Sequence, residues 1–460
     1  MIDGASALAA RIWAGDLSAR EAVDACLSAI DAVNGELNAV VQLVPERARA
    51  EAAAADEWQA GGERLGALHG VPVTIKDCFA TDGIVTTVGT TGLRAFVPEA
   101  DDVTVARLRE AGAIVVGKTN CPELLMGLES DNVVYGRTVN PYDVTRTCGG
   151  SSGGEAAIVA AGASPLGLGS DSGGSLRVPA HFCGVPTLKP THGRVPITSA
   201  VFPSAGPFSR LRAVGTLAPK VDDLFLALGV LSGPDGHDPW MPPVALPDPS
   251  TVEVAGLRVA VYASDGVSSP TPETVATVEA AGLTLEKAGA VVESERLPGA
   301  DEAVEIFTGV LGGDGGAGMR RVLEAVGTTE PSPLIANMLA VVSSIEQPAS
   351  QYADLLARWD RFRLGAMAFL DRFDVVLSPV AGVPALPHGT TFENINQFGF
   401  VFTHNLTGWP AAAVRAGTTP TGLPIGVQIA AGPWREDRAL AVARHLESAL
   451  GPFPPPTITA

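Results

Sequence analysis

The sequence predicts an α/β fold in which a mostly parallel or mixed, twisted sheet carries helices on both faces. Short β-branched and aliphatic runs alternate with helix patterns along nearly the whole chain, which is typical of strand–helix–strand units. Hydrophobic residues make up 46% and charged residues 18% of the 460 residues, the balance of a folded chain with a sizeable core. This length is compatible with several domains or with one large domain that has insertions.

The first sixty residues are predicted to be helical. Ser18 and Glu21 form a capping box ahead of apolar residues at helical spacing, and a second helix is predicted over 45–59. A β-branched strand follows at 71–75, with Lys76 at its C-terminal end. Ligands in α/β sheets bind beyond the carboxyl ends of strands, so Lys76 is a candidate site residue. Its position alone equally fits the commoner case, a lysine that leaves the strand into solvent.

The rest of the chain continues the alternation. Further elements are predicted as a helix at 101–111, a strand at 113–117, a helix at 155–163, a strand at 257–262, a helix at 272–289 capped by Thr271, a strand from 291, strands at 373–377, 411–414 and 426–430, and a helix at 437–450. The glycine-rich run at 311–316 predicts a flexible region within 300–350, either a lid or an insertion. The apolar cluster at 124–126 fits either the core or a pocket wall.

Composition excludes several classes of function. The net charge of −19 argues against nucleic-acid binding, which needs a basic face. The five cysteines form no C-x-x-C pair, so neither a disulfide framework nor a zinc site is predicted, and a reducing compartment is expected. With no signal peptide and no apolar run of membrane-spanning length, we expect a cytoplasmic protein without a membrane partner.

The most informative stretch is 149–194, where Ser151, Ser152 and Ser175 stand in glycine-flanked turns. Glycine is needed where φ is positive or where something approaches the backbone closely. The free N–H groups around such a serine can bind an anion. These turns therefore predict a nucleophile with an oxyanion site.

Other kinds of site fit the sequence less well. None of the seven histidines stands where a Ser-His-Asp triad would need it, and neither serine turn has the G-x-S-x-G pattern of an α/β-hydrolase. The chain lacks H-E-x-x-H, Walker A and Rossmann patterns in the required context, so we expect no metal and no cofactor. A serine activated by a neutral lysine remains. Lys76 fits that role, and Lys118 and Lys189 compete with it on spacing alone.

On these residues the chain resembles the amidase signature family of serine hydrolases. The similar segments are 149–154, 169–180 and 188–191, with further likeness at 68–77, 118–120, 140–141 and 422–429. The resemblance covers most of the chain. It implies a single amidase signature domain over 1–460, with a catalytic core at 65–200 and a variable insertion or lid at 295–355. Segments 151–155 and 164–169 most resemble the bacterial fatty-acid-amide-hydrolase-like branch.

The resemblance also implies roles for individual residues. Ser175 would be the nucleophile, Ser151 the bridging serine on a cis peptide, and Lys76 the base. The implied oxyanion donors are the backbone N–H groups of Ser172, Gly173 and Gly174, together with that of Ser175 itself. The implied supporting residues are Ser152, Asp171 and Arg177, and the implied substrate-binding residues are Leu125, Met126 and Gly149.

The implied activity is hydrolysis of an amide, anilide or carbamate C–N bond in a small apolar or aryl substrate, through an acyl-enzyme. A carbamate-specific urethanase and the glutamine-hydrolysing component of a glutamyl-tRNA amidotransferase are the alternatives, with a non-catalytic binding protein more remote. Residues 397–406 contain no acid to hold the amino group of glutamine, which disfavours the amidotransferase. We expect a small amide or carbamate as the only partner of a monomer or homodimer.

Overall fold

The computed structural model describes residues 3–199 and 206–460. The strands are β1 Val40–Leu43, β2 Pro72–Lys76, β3 Ile114–Thr119, β4 Asp131–Asn132, β5 Gly136–Arg137, β6 Val139–Asn140, β7 Asp143–Thr147, β8 Gly167–Asp171, β9 Thr187–Lys189, β10 Ala213–Leu217, β11 Arg258–Val261, β12 Val291–Ser294, β13 Val375–Pro379, β14 Ala411–Thr418 and β15 Pro424–Ala431. The helices are α1 Ala5–Ala14, α2 Ala19–Leu37, α3 Pro45–Ala60, α4 Val103–Glu110, α5 Gly153–Ala160, α6 Arg177–Cys183, α7 Val221–Leu231, α8 Pro272–Lys287, α9 Ala303–Gly312, α10 Ala317–Ala325, α11 Pro333–Ser343, α12 Ala349–Phe369, α13 Gly399–Thr407 and α14 Glu436–Leu450. None of these helices is both long enough and apolar enough to cross a membrane.

Within those residues, eleven strands form one sheet in the order β1-β3-β2-β8-β10-β9-β14-β15-β13-β11-β12. Neighbours run parallel in the pairs β2–β3, β2–β8, β11–β12 and β11–β13, and antiparallel in the other six. The predicted mixed sheet is confirmed, but the expectation that most strands run parallel is wrong. Short loops cause part of the difference, because the five residues between β14 and β15 can join only antiparallel strands.

Helices cover both faces of the sheet, as predicted. In β13 the side chains of Val375 and Leu377 belong to one apolar cluster, which includes residues of α4, α7, α8 and α14. The intervening Val376 belongs to a second cluster, which includes residues of α6, α9, α12 and α13. Because successive side chains of a strand point to opposite faces, these two clusters lie on opposite sides of the sheet.

Local sequence signals explain where several elements begin. The Ser18 hydroxyl accepts a hydrogen bond from the Glu21 N–H at 3.1 Å, which completes the predicted capping box of α2. Thr271 caps α8 as predicted. The first sixty residues are not all helical, because the short strand β1 separates α2 from α3.

The glycine-rich run at 311–316 lies in a helical region rather than in an irregular loop. Gly312 ends α9, and Gly316, at φ 81°, precedes the first residue of α10. A positive φ is readily adopted by glycine, so the run makes a tight turn between two helices. The segment predicted as a flexible lid or insertion is therefore built mainly from α9, α10, α11 and the start of α12.

Candidate active site

Lys76 ends β2, the strand that pairs with both β3 and β8. Its Nζ lies 2.7 Å from the Ser151 hydroxyl oxygen and 2.9 Å from that of Ser152. The Ser170 hydroxyl oxygen is 3.1 Å away. The side chain is fully buried, which excludes the interpretation that it leaves the strand into solvent, and burial lowers the pKa of Lys76. Lys76 is thus placed to exchange a proton with a serine hydroxyl.

The two competing lysines bind elsewhere. The buried Lys118 Nζ donates to the Phe79 carbonyl at 2.5 Å and to two threonine hydroxyls. The Lys189 Nζ donates to the Pro190 carbonyl at 3.0 Å, and burial lowers the pKa of Lys189 to about 7. In the described ranges neither amine hydrogen-bonds to a serine of the 149–194 stretch, so the geometry selects Lys76.

The turn that carries Ser151 depends on close backbone packing. The peptide bond between Gly150 and Ser151 is cis. A Cβ at Gly150 would lie only 2.6 Å from the backbone nitrogen of Glu129, so only glycine fits there. Ser152 follows directly and precedes the first turn of α5. The cis peptide that the resemblance implies is therefore present in the turn that meets Lys76.

Gly149 has its polar groups engaged within the protein. Its N–H donates to the Thr147 hydroxyl at 3.0 Å, and its carbonyl accepts from the Ser130 hydroxyl at 3.1 Å. A Cβ at this position would lie 2.7 Å from the Cα of Pro179. These contacts explain the glycine by packing against α6. They leave its predicted role in substrate binding without a free polar group.

Ser175 lies beside this turn on the loop between β8 and α6. Its backbone carbonyl accepts a hydrogen bond from the Ser152 N–H at 3.1 Å, which joins the two serine turns. The side chain is 8% exposed, whereas Ser151 and Ser152 are fully buried, so Ser175 borders solvent. Among the described residues its hydroxyl forms no hydrogen bond, including none to Ser151. The structure therefore brings the predicted triad residues into one region, with the Lys76–Ser151 contact formed.

The predicted oxyanion donors differ in availability. The Gly174 N–H donates to the Asp171 carboxylate at 2.8 Å, so it is not free for an oxyanion, and the prediction for this donor is corrected. The Leu176 N–H donates to the same carboxylate at 3.3 Å. Within residues 3–199 and 206–460, the N–H groups of Ser172 and Gly173 have no protein acceptor, so both remain candidate donors.

Asp171 and Arg177 form a buried ion pair behind the nucleophile turn. Arg177 Nε lies 3.0 Å from the Asp171 carboxylate. Arg177 also donates to the side-chain carbonyls of Gln428 at 2.8 Å and Asn405 at 2.7 Å. Burial alone would raise the pKa of Asp171, but the guanidinium and hydrogen bonds hold that pKa well below its usual range. The charged carboxylate thus fixes the Gly174 and Leu176 amides on either side of Ser175.

Asn405 and Gln428 are site residues that were not predicted. Gln428 lies in the family-like segment 422–429, which was the only signal that could have found it. Asn405 has no local signal, because its partners Asp171 and Arg177 lie more than 200 positions earlier in the chain. The polar support of the turn therefore comes from distant parts of the sequence.

The two predicted pocket residues differ in their surroundings. Leu125 has φ 62° and lines a narrow cavity with Phe79 and Ser170, the serine that reaches Lys76. Met126 instead packs into an apolar cluster with residues of α10 and α11, including Leu323. Leu125 is therefore the better placed of the two to meet a substrate.

Phe307 of α9 is a further residue at the site that was not predicted. A Cβ at Gly173 would lie 2.5 Å from Phe307 Cζ, so the ring packs against the oxyanion turn. The ring also stacks on Phe402 of α13, with centroids 4.1 Å apart and planes 4° apart. The predicted insertion therefore reaches the site directly at its first helix.

A buried carboxylate joins the same insertion to the pocket loop. Glu123 is fully buried and accepts hydrogen bonds from the Thr90 hydroxyl at 2.7 Å and from the Ser332 N–H at 2.7 Å. The Thr90 and Thr328 hydroxyls lie 2.6 Å apart. These contacts hold the start of α11 against the loop that carries Leu125.

Comparisons with known proteins agree with this geometry. A family model described as Amidase matches residues 21–440. The glutamyl-tRNA(Gln) amidotransferase component of the A type from Synechococcus sp. (strain CC9605) is 33% identical over 487 residues, which cover 97% of this chain and 96% of that protein. A solved bacterial aryl acylamidase of the amidase signature enzymes has a TM-score of 0.87 and 26% identity, covering 97% and 96% of the two chains.

A solved fatty acid amide hydrolase has a TM-score of 0.89 and 25% identity, and the match covers 98% of this chain and 85% of that one. The resemblance found in the sequence is thus confirmed by a family model that spans most of the chain. The chain belongs to the amidase signature family and is an amidase-type enzyme that acts on C–N bonds.

Proposed function

We propose that this enzyme hydrolyses an amide-type C–N bond through an acyl-enzyme on Ser175, with Ser151 as relay and Lys76 as base. The observation that carries the proposal is the contact of the buried Lys76 Nζ with the Ser151 hydroxyl at 2.7 Å, one turn away from Ser175. A buried amine that is not paired with a carboxylate favours its neutral form, which is the form that a base requires.

The proposed first half-reaction moves one proton along this line. Neutral Lys76 takes the Ser151 proton while Ser151 takes that of Ser175, and the Ser175 oxygen bonds to the substrate carbonyl carbon. The N–H groups of Ser172, Gly173 and Ser175 receive the oxyanion. When the C–N bond breaks, Ser151 returns a proton to the leaving amine, and the acyl group remains on Ser175.

Water completes the cycle by the same relay. It loses a proton through Ser151 to Lys76 and attacks the acyl carbon, and Ser175 recovers its proton as the acid leaves. No step needs a metal or a redox cofactor, and the only other reactant is water.

We propose a small substrate with an apolar or aryl group, held by the catalytic core at 65–200 and covered by the segment 295–355. Leu125 lines the cavity next to Ser170, and the Phe307 ring packs against the oxyanion turn. Both contacts are apolar, and the similarity to an aryl acylamidase supports an aryl amide or anilide. A carbamate presents the same carbonyl and leaving amine, so a urethanase activity belongs to the same proposal.

A second candidate is glutamine amide hydrolysis as a component of a glutamyl-tRNA amidotransferase, which the 33% identity to such a component favours. That reaction would need a group to hold the amino group of glutamine. Residues 397–406, which include most of α13, contain no acid. We therefore place the small-molecule amide first and keep glutamine as an arm of the test.

The test combines covalent labelling with a substrate panel. A fluorophosphonate should label the wild type and not Ser175→Ala, while Ser232→Ala, at the end of α7, should be labelled like the wild type. The panel contains an anilide, an aliphatic amide, a dipeptide amide, a carbamate, and glutamine with a tRNA partner. Full labelling of Ser175→Ala would contradict the nucleophile assignment, and turnover of glutamine alone would favour the amidotransferase.

A further inference from the structure

Glu155 is a fully buried acid on the first turn of α5, three residues after Ser152. Its carboxyl group accepts a hydrogen bond from the Thr74 hydroxyl at 2.6 Å and one from the Thr119 hydroxyl at 2.8 Å. Thr74 lies two residues before Lys76 on β2, and Thr119 is the cross-strand partner of Lys76 on β3. One side chain thus touches both strands that flank the amine and the helix that follows the serines.

The surrounding residues are shaped to this carboxyl group. Gly167, the cross-strand partner of Thr74 on β8, has no room for a Cβ, because it would overlap Glu155 Oε2. The Ser164 hydroxyl lies 2.9 Å from that of Thr74 and extends the hydrogen-bonded group. An acid in an apolar core is costly unless it is hydrogen-bonded, so this carboxyl site is built rather than incidental.

We propose that Glu155 is a positioning residue for the base, which holds Ser151 and Ser152 at Lys76 by joining α5 to β2 and β3. The inference rests on the proposed function of Lys76. Ser152 directly precedes α5, so a shift of the first helical turn carries both serine hydroxyls with it. Contacts of 2.7 Å and 2.9 Å to Nζ tolerate little displacement before they cease to be hydrogen bonds.

The protonation of this acid supports the same role. Burial raises the pKa of Glu155 to about 8, so the carboxyl group is mainly neutral at pH 7. A neutral acid organises the serines without pairing with the amine, whereas an ionised one would stabilise the ammonium form of Lys76. The other titratable groups that act on Lys76 or Glu155 come from β3, the turns and the β8 end, and are Lys118, Cys78, Cys121 and Asp171.

The test compares Glu155→Ala with the isosteric Glu155→Gln, and with Glu447→Gln on α14 as a control outside the site. We expect Glu155→Ala to lower kcat and the rate of fluorophosphonate labelling at Ser175 by about 10- to 100-fold, with little change in KM, because small misplacements of reacting groups cost that much. Glu155→Gln should recover most of the loss. Water admitted to the emptied space should also shift the acid limb of the pH–rate profile of Glu155→Ala to higher pH.

Unchanged kcat and labelling in Glu155→Ala, or a loss confined to KM, would overturn the inference. If Glu155→Ala does not fold, Thr74→Val and Thr119→Val remove the hydroxyls while keeping the side-chain shape. A double variant with wild-type kcat then overturns it equally. Normal labelling of the wild type separates this failure from that of the proposed function, since a wild type that is not labelled at Ser175 removes both.

Discussion

Substitution of Gly173 by alanine tests how the oxyanion turn is held. The added Cβ would lie 2.5 Å from Phe307 Cζ, whereas carbon atoms in contact are separated by about 3.5–4.0 Å. A gap of about 1 Å must therefore open. The Phe307 ring cannot easily move away, because it is buried and stacked on Phe402. We expect the turn to move instead, together with the Gly173 N–H.

The magnitude follows from the proposed role of that N–H. Loss of one oxyanion donor raises the barrier by about 2.7–4 kcal/mol, which corresponds to about 100- to 1000-fold in kcat. The crowding itself should lower the free energy of unfolding by about 1–3 kcal/mol. The φ of Gly173 is not in the left-handed region, so alanine adds no backbone strain there.

The assay is kcat for the best substrate of the panel, with thermal unfolding measured on the same samples. Phe307→Ala in the Gly173→Ala background should restore much of kcat, because it removes the atom that the new Cβ meets. Gly229→Ala on α7 is the matched control, since its Cβ would meet nothing within 4 Å. Gly173→Ala with wild-type kcat, or a double variant no better than the single one, would refute the reasoning.

Three further predictions use other parts of the site. Arg177→Met leaves the Asp171 carboxylate buried without its partner, so the free energy of unfolding should fall by about 3–5 kcal/mol in thermal or denaturant unfolding; an unchanged transition would contradict the ion pair. Glu123→Gln weakens the attachment of α11 to the pocket loop, so KM should rise for an aryl amide more than for a short aliphatic amide, and equal effects on both would argue against a pocket role. The pH profile of kcat/KM should rise with pH as Lys76 loses its proton and reach its plateau below the ordinary lysine pKa of about 10.4, because burial lowers the pKa of Lys76; a profile flat across that range would exclude it as the base.

The local parts of the fold were predictable, because their signals lie within a few residues. The Ser18 capping box, the Thr271 cap and the β-branched strand before Lys76 all appear where they were expected. Strand direction was not predictable in the same way. It depends on which strands become neighbours, and β8 pairs with β2 and β10 rather than with the strand next to it in the chain.

The candidate site divides along the same line. Glycine-flanked serines and a lysine at a strand end identify Ser151, Ser175 and Lys76, because those positions need particular residue types. Phe307 and Asn405 gave no such signal, since phenylalanine and asparagine are ordinary residues of helices. Their importance comes from packing against Gly173 and from hydrogen bonding to Arg177, which only the folded chain reveals.

The long reach of Arg177 has a consequence for how the enzyme is made. A ribosome releases Lys76, Ser151 and Ser175 early, but the side chain that binds Arg177 Nη1 belongs to Gln428, 251 positions later. Until β15 emerges and folds, the ion pair with Asp171 lacks this support, and the nucleophile turn is not fixed. A nascent chain therefore carries every reacting group without being a competent hydrolase, and competence arrives with the last strand of the sheet to be synthesised.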